Sequence, residues 1–227
     1  MLVKNWMSKD VITIDVDDSM QDASYLLREH NINILPVMEK GSMAGIITDR
    51  DLKKASPSDA TTLDMHELLF LISKIKVRDL MKKPVITIPP DHTVEEAAAI
   101  LLEKKISGLP VVDAKGQVVG VITRSDLFRV LISLTGLGKQ GIQLAIRVKD
   151  TPGPIKEIRE LVHEYGARTA SLLSSWDDAP PDHLNLYFRV YQIDRQKLPA
   201  LVEKIKTKGT LLYLVDHREN TRTIYET

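Results

Sequence analysis

Val3 to Leu52 reads VKNWMSKDVITIDVDDSMQDASYLLREHNINILPVMEKGSMAGIITDRDL, and Val77 to Leu127 reads VRDLMKKPVITIPPDHTVEEAAAILLEKKISGLPVVDAKGQVVGVITRSDL. The second stretch restates the first. Val3 aligns with Val77, Met7 with Met81, Ala23 with Ala97 and Pro36 with Pro110, each 74 residues on. One residue then enters before Gly116, so Gly45 aligns with Gly120 and Asp51 with Asp126, 75 residues on. A period this long, present twice, does not build a solenoid. It builds two copies of one supersecondary unit that bury their apolar faces against each other. Two similar surfaces meeting about a pseudo-twofold axis leave two related clefts, and function is expected there.

Each copy parses as β-α-β-β-α. The β-branched runs Val11 to Ile14 and Val85 to Ile88 predict a first strand. Asp18 and Ser19, and the run Asp91-His92-Thr93, supply N-cap side chains, with Thr93 and Glu96 in capping-box spacing. Val94, Ala97, Ala98, Leu101 and Leu102 recur at helical spacing. Leu35-Pro36-Val37-Met38 and Leu109-Pro110-Val111-Val112 predict strands opened by proline, which lacks an N–H and suits a strand's first residue. Turns at Gly41 and Gly116 lead to strands over 44–48 and 119–123, and a last helix is expected to begin at Asp51 or Asp126.

These patterns divide the chain into a first copy over 1–56, a bridge over 57–76 and a second copy over 77–135. In the bridge, Leu63, His66, Leu69, Leu71 and Ile75 suggest an amphipathic helix. Gly136, Gly138 and Gly141 then mark a glycine-rich hinge over 136–141. Beyond it, 142–218 reads β-α-β-β-α-β, the ferredoxin-like order of two helices on an antiparallel sheet. The residues from 219 to 227 read as a polar tail. The fold class expected is α+β.

Thirty-one Lys and Arg balance 31 Asp and Glu in the 227 residues, which argues against general nucleic-acid binding. With no cysteine, disulfides, thiol catalysis and Cys-based zinc sites are excluded, and a reducing compartment fits. The start MLVKNWMSKD has no apolar core of a signal peptide, and no apolar run is long enough to span a bilayer. A soluble cytoplasmic protein is expected. GLGKQG at 136–141 matches the letters of a dinucleotide fingerprint, but a helix precedes it and a strand follows, the reverse of what pyrophosphate binding needs. No His pair has metal-ligand spacing, and no nucleophile elbow or P-loop lysine occurs. Neither catalytic residues nor a metal site are expected.

The segments Gly45-Ile46-Ile47-Thr48-Asp49-Arg50-Asp51 and Gly120-Val121-Ile122-Thr123-Arg124-Ser125-Asp126 are the candidates for chemistry. Each sets a hydroxyl at a strand end and a carboxylate three residues on, at a helix start. Thr48 or Thr123 can donate to a phosphate, Asp51 or Asp126 can accept two ribose hydroxyls, and Arg50 and Arg124 add phosphate-pairing charge. The competing reading is a strand-end Thr with an Asp that merely caps the helix. On physics alone both stand.

Both copies resemble CBS domains, and the pair resembles a Bateman module. The resemblance rests on Met7 and Met81, the VITI strands, the Leu-Pro-Val strands and the G-h-h-T-x-x-D endings, over Val3 to about Ser133. It implies adenosine ligands such as AMP, ADP or ATP, with NAD or S-adenosylmethionine as alternatives, and a homodimer. One site would combine Ile46, Thr48, Arg50 and Asp51 with Pro84, Ile86, Ser107 and Gly108. The other would combine Val121, Thr123, Arg124, Ser125 and Asp126 with Asp10, Ile12, Asn33 and Ile34. Gly108 is expected to leave room for an adenine, whereas Ile34 in the equivalent place crowds the second cleft.

The C-terminal part resembles an ACT domain through Lys149-Asp150-Thr151-Pro152-Gly153, similar to that family's turn between first strand and first helix. The resemblance implies a possible amino-acid site at Asp150, Thr151, Pro152 and Gly153; the alternative is a turn that needs Pro and Gly for shape alone. The whole arrangement is similar to the acetoin-utilisation protein B group, a link that rests on resemblance and not on spacing. A non-catalytic sensor regulating an unnamed enzyme is the leading expectation. An enzyme with an allosteric ACT-like domain, or an amino-acid-responsive protein with vestigial nucleotide clefts, is the rival.

Overall fold

Ser19 and Thr93 open the first long helix of each copy, and both do so with a capping box, closed by Asp22 and Glu96. Around these starts, a computed structural model describing residues 1–56 and 73–225 gives the first copy as β1 (Ile14–Asp15), α1 (Met20–Glu29), β2 (Ile34–Glu39), β3 (Ser42–Thr48) and α2 (Asp49–Ala55). The second copy has α3 (Val77–Leu80), α4 (Val94–Glu103), β4 (Gly108–Val112), β5 (Val118–Thr123) and α5 (Arg124–Leu134). The bridge helix expected over 57–76 lies mostly outside the described residues, but Ile75 packs against the core of the first copy. The chain divides into two compact units, Met1–Phe128 and Arg129–Thr227.

The first strands are shorter than the VITI runs suggest. β1 holds two residues, paired parallel to β2 through Ile14 and Val37, and its counterpart is a single bridge from Ile88 to Val111. Proline is the cause. Pro36 and Pro110 are the third residues of β2 and β4, not the first as expected. In the second copy Ile88 N donates to Pro110 O and Val112 N donates to Ile88 O. Pro110 has no N–H to extend that ladder toward Ile86, so Val85 and Ile86 stay off the sheet and face a cleft.

The start of each copy is seated in the other copy. Val3 N donates to His92 O, Val94 N donates to Met1 O, and Ser8 bridges Val121. Reciprocally, Val77 N donates to Asp18 O, Met20 N donates to Ile75 O, and Lys82 bridges Ile46. Val77 is fully buried among Ile14, Leu35, Val37 and Ile47 of the first copy. The paired glycines explain themselves here. A Cβ on Gly45 would lie 2.5 Å from Met81 Sδ, and one on Gly120 would overlap Met7 Sδ.

The second unit comprises β6 (Ile142–Lys149), α6 (Pro154–Glu164), β7 (Arg168–Ser175), β8 (His183–Tyr191), α7 (Leu198–Lys206), β9 (Thr210–Asp216) and β10 (Thr221–Ile224). Its sheet order is β10-β9-β6-β8-β7, all antiparallel. Strands β6 to β9 with α6 and α7 have the ferredoxin-like order. Alternation along β6 and β8 buries Ile142, Leu144, Ile146, Leu184, Leu186 and Phe188 against Ile158, Val162, Leu201 and Ile205. Part of the expected tail is a fifth strand, β10, which pairs its exposed polar residues with β9. The glycine run is not loose throughout: a Cβ on Gly141 would collide with Val190 O, so strand contact demands glycine there.

Candidate functional site

Two cavities open in the first unit. One, of about 370 Å³, is lined by Ile46, Thr48, Asp49 and Arg50 of the first copy and by Lys82, Pro84, Val85, Ile86, Ser107 and Gly108 of the second, with Asn33, Ile34, Lys105, Ile106 and Arg124 completing it. The other, of about 390 Å³, is lined by Val121, Thr123, Arg124, Ser125 and Asp126 together with Ser8, Asp10, Val11, Ile12, Asn31, Ile32, Asn33, Ile34 and Ser107. The structure thus brings together the residues that sequence and resemblance grouped. Asp51 is the exception, lying just behind the wall of the first cleft at 8% exposure.

The helices begin earlier than expected. α2 starts at Asp49 and α5 at Arg124, so Asp51 and Asp126 are third residues and Thr48 is the N-cap of α2. Each carboxylate reaches back. Asp51 Oδ2 accepts from Thr48 N at 3.1 Å and from its hydroxyl at 2.5 Å; Asp126 Oδ2 accepts from Thr123 N and hydroxyl, both at 2.7 Å. Capping and ligand-holding are therefore not alternatives here. The cap holds each carboxylate by Oδ2, and at Asp51 the other oxygen meets a second donor.

In the first cleft that donor is Lys82, whose Nζ lies 2.5 Å from Asp51 Oδ1. Burial pushes the Asp51 carboxyl up, but the hydrogen bonds from Lys82 and Thr48 and the lysine charge outweigh it and hold it below the ordinary carboxylate range. Lys82 is fixed by its backbone: its N donates to Ile46 O at 2.8 Å and its O accepts from Ile46 N at 3.2 Å. The sequence reading missed Lys82, which reaches the cleft by the exchange of segments between copies, and Lys105, which lies just before β4 beside Ser107. The signal was present in register, since Lys82 follows Met81 as Ser8 follows Met7.

Gly108 lines the first cleft, and Ile34 does not act as expected. A Cβ on Gly108 would meet Ile122 O and Thr123 Cγ2 at 3.2 Å and Ile34 Cδ1 at 3.4 Å, so protein atoms already fill the space beside this glycine. Ile34 lines both cavities, and the second is no smaller than the first. Crowding by Ile34 does not distinguish the clefts.

In the second unit Asp150, Thr151, Pro152 and Gly153 are exposed ahead of α6. Asp150 N donates to Asp182 O, and its carboxylate accepts from Trp176 Nε1 at 2.8 Å. Gly153 has φ +126°, which a side chain would strain, so shape accounts for it. Among the described residues no group of His, Asp and Glu could hold a metal ion, and no helix is long and apolar enough to cross a membrane.

The CBS domain family matches residues 3–58 and 77–133. A CBS domain-containing protein of Dictyostelium discoideum is 38% identical over 135 residues, which cover 59% of this chain and 93% of that protein. CBSX2 from Arabidopsis thaliana is 29% identical, with a TM-score of 0.51 over 58% of this chain and 94% of that one. A crystal structure of CBSX2 in complex with AMP is 33% identical, with a TM-score of 0.47 over 58% of this chain and 96% of that one. AcuB from Vibrio cholerae is 27% identical, with a TM-score of 0.50 over 61% of this chain and 95% of that one.

Proposed function

This chain belongs to the CBS-domain family, and from that premise we propose that it is a non-catalytic regulatory protein whose two clefts bind adenine nucleotides of the AMP, ADP and ATP class. The observation that supports this most is the repeated Thr–Asp pair, with Thr48, Thr123 and Asp126 lining and Asp51 adjoining two cavities of about 370 and 390 Å³, within the size range of small-ligand sites. Apolar Ile46, Ile34, Pro84 and Ile86 offer walls for a flat base. The Thr48 hydroxyl and Arg50 face a phosphate, and Asp51 receives ribose hydroxyls once Lys82 gives way to them. Because the walls come from both copies, a ligand favours the packing of the copies that closes on it.

The same reading extends to the rest of the chain. The β-α-β-β-α-β order and the Asp150-Thr151-Pro152-Gly153 turn support an ACT-like second unit with an amino-acid site at that turn. Phe128, Leu131 and Ile132 stand 50–64% exposed on α5 and suit a homodimer. Likeness to AcuB, named as an acetoin utilization protein, supports a place in acetoin utilisation. Calorimetry with AMP, ADP, ATP, NAD and S-adenosylmethionine tests the central point. Saturable binding weakened about tenfold or more by Asp51→Ala or Asp126→Ala is the expected result; flat titrations and unchanged melting temperatures across the panel would refute it.

A further inference from the structure

The two clefts have the same architecture and opposite charge. The first is lined by Arg50, Lys82, Lys105 and Arg124 against Asp49, with the Asp51 carboxylate already held by Lys82. The second has Arg124 against Asp10 and Asp126. The difference arises at matched positions. Lys82 and Ser8 occupy one place twice, each bridged by backbone to the strand that carries the Thr: Lys82 to Ile46 and Ser8 to Val121. By the same register Arg50 corresponds to Ser125, Lys105 to Asn31, and Pro84 to Asp10. Three cations of the first cleft are neutral in the second, and a neutral wall residue becomes a carboxylate.

Resting on the reading that both clefts take adenosine compounds, we propose that they are sorted by the charge at the ligand's 5′ end. The first cleft takes a nucleotide with a polyphosphate chain, and the second takes an adenosine compound whose 5′ substituent carries no negative charge. Lys and Arg in a concave, partly desolvated wall favour phosphate oxygens strongly, and carboxylates in the same place repel them. Size cannot do the sorting, because the two cavities are nearly equal in volume. A protein so arranged compares two ligands rather than counting one.

Calorimetry on the full chain, with ATP and adenosine as probes, tests the assignment. Lys82→Ser with Arg50→Ser gives the first cleft the residues of the second; it is expected to weaken ATP at least about tenfold and to leave adenosine within about twofold. Asp126→Ala is expected to weaken adenosine about tenfold and leave ATP unchanged. Lys82→Gln, which keeps the stem, serves as the control for folding, with thermal melts on each variant. If ATP follows Asp126→Ala, or if the Lys82 and Arg50 changes weaken both probes equally, the division by charge is wrong while the adenosine reading stands. If neither probe binds the unaltered protein, the adenosine reading falls and this inference with it.

Discussion

At Asp51 a single carboxylate serves two masters, the N–H and hydroxyl of Thr48 on one oxygen and the ammonium of Lys82 on the other. Its proton affinity is lowered in the folded state, so the stability it contributes is fully present above the unfolded carboxylate value of about 3.9 and is lost as pH falls through the folded value. Thermal melts between pH 5 and pH 3 should therefore show a steeper loss for the native chain than for Asp51→Asn. His217 gives the opposite group with a related sign. Burial, followed by the charges of Arg189 and Arg222, pushes its imidazole below the usual value, and its Nε2 is buried with no hydrogen-bond partner among the described residues. The unfolded chain then takes up a proton first, so stability declines as pH falls from about 6.5 toward the lower folded value. Melts at pH 7.5 and 5.5 should differ less in His217→Gln. Neither behaviour was legible in sequence, where His217 reads as one more surface histidine and Asp51 as a helix-start acid. Lys82 reaches Asp51 from 31 residues away and Arg189 reaches His217 from 28, distances that local patterns do not span.

The elements show which local rules survive tertiary contact. The capping box at Thr93 and Glu96 and the β-α-β-β-α-β order of 142–218 were readable because each depends on near neighbours. Strand length was not, because it depends on a missing N–H in a different strand, at Pro36 or Pro110. The helix starts moved because Asp51 and Asp126 are third helical residues that reach back to Thr48 and Thr123, rather than the caps themselves. Glycine contacts give a direct test. Gly45→Ala forces Met81 aside and should cost about 1–3 kcal/mol in urea unfolding. Gly141→Ala meets a backbone carbonyl that cannot rotate away and should cost more than Gly45→Ala on the same assay. Equal losses would mean the strand beside Gly141 yields as readily as a methionine side chain.

On the scale of the whole molecule, the first-unit fold was legible because it is written twice, while the charge contrast between its clefts became visible only when the copies were laid across each other. The exposed apolar residues of α5 bear on assembly. Leu131→Glu should shift sedimentation from dimer to monomer with little change in melting temperature, since Leu131 is 54% exposed in one chain; an unchanged sedimentation profile would place the interface elsewhere. The reciprocal seating of Val3 and Val77, finally, makes the duplication hard to reverse. Losing either copy by deletion would strip a buried plug from its sibling and open a hole in a finished core. The exchange ties the two copies together in how they fold while leaving their cleft-lining residues free to differ, as Lys82 and Ser8 do.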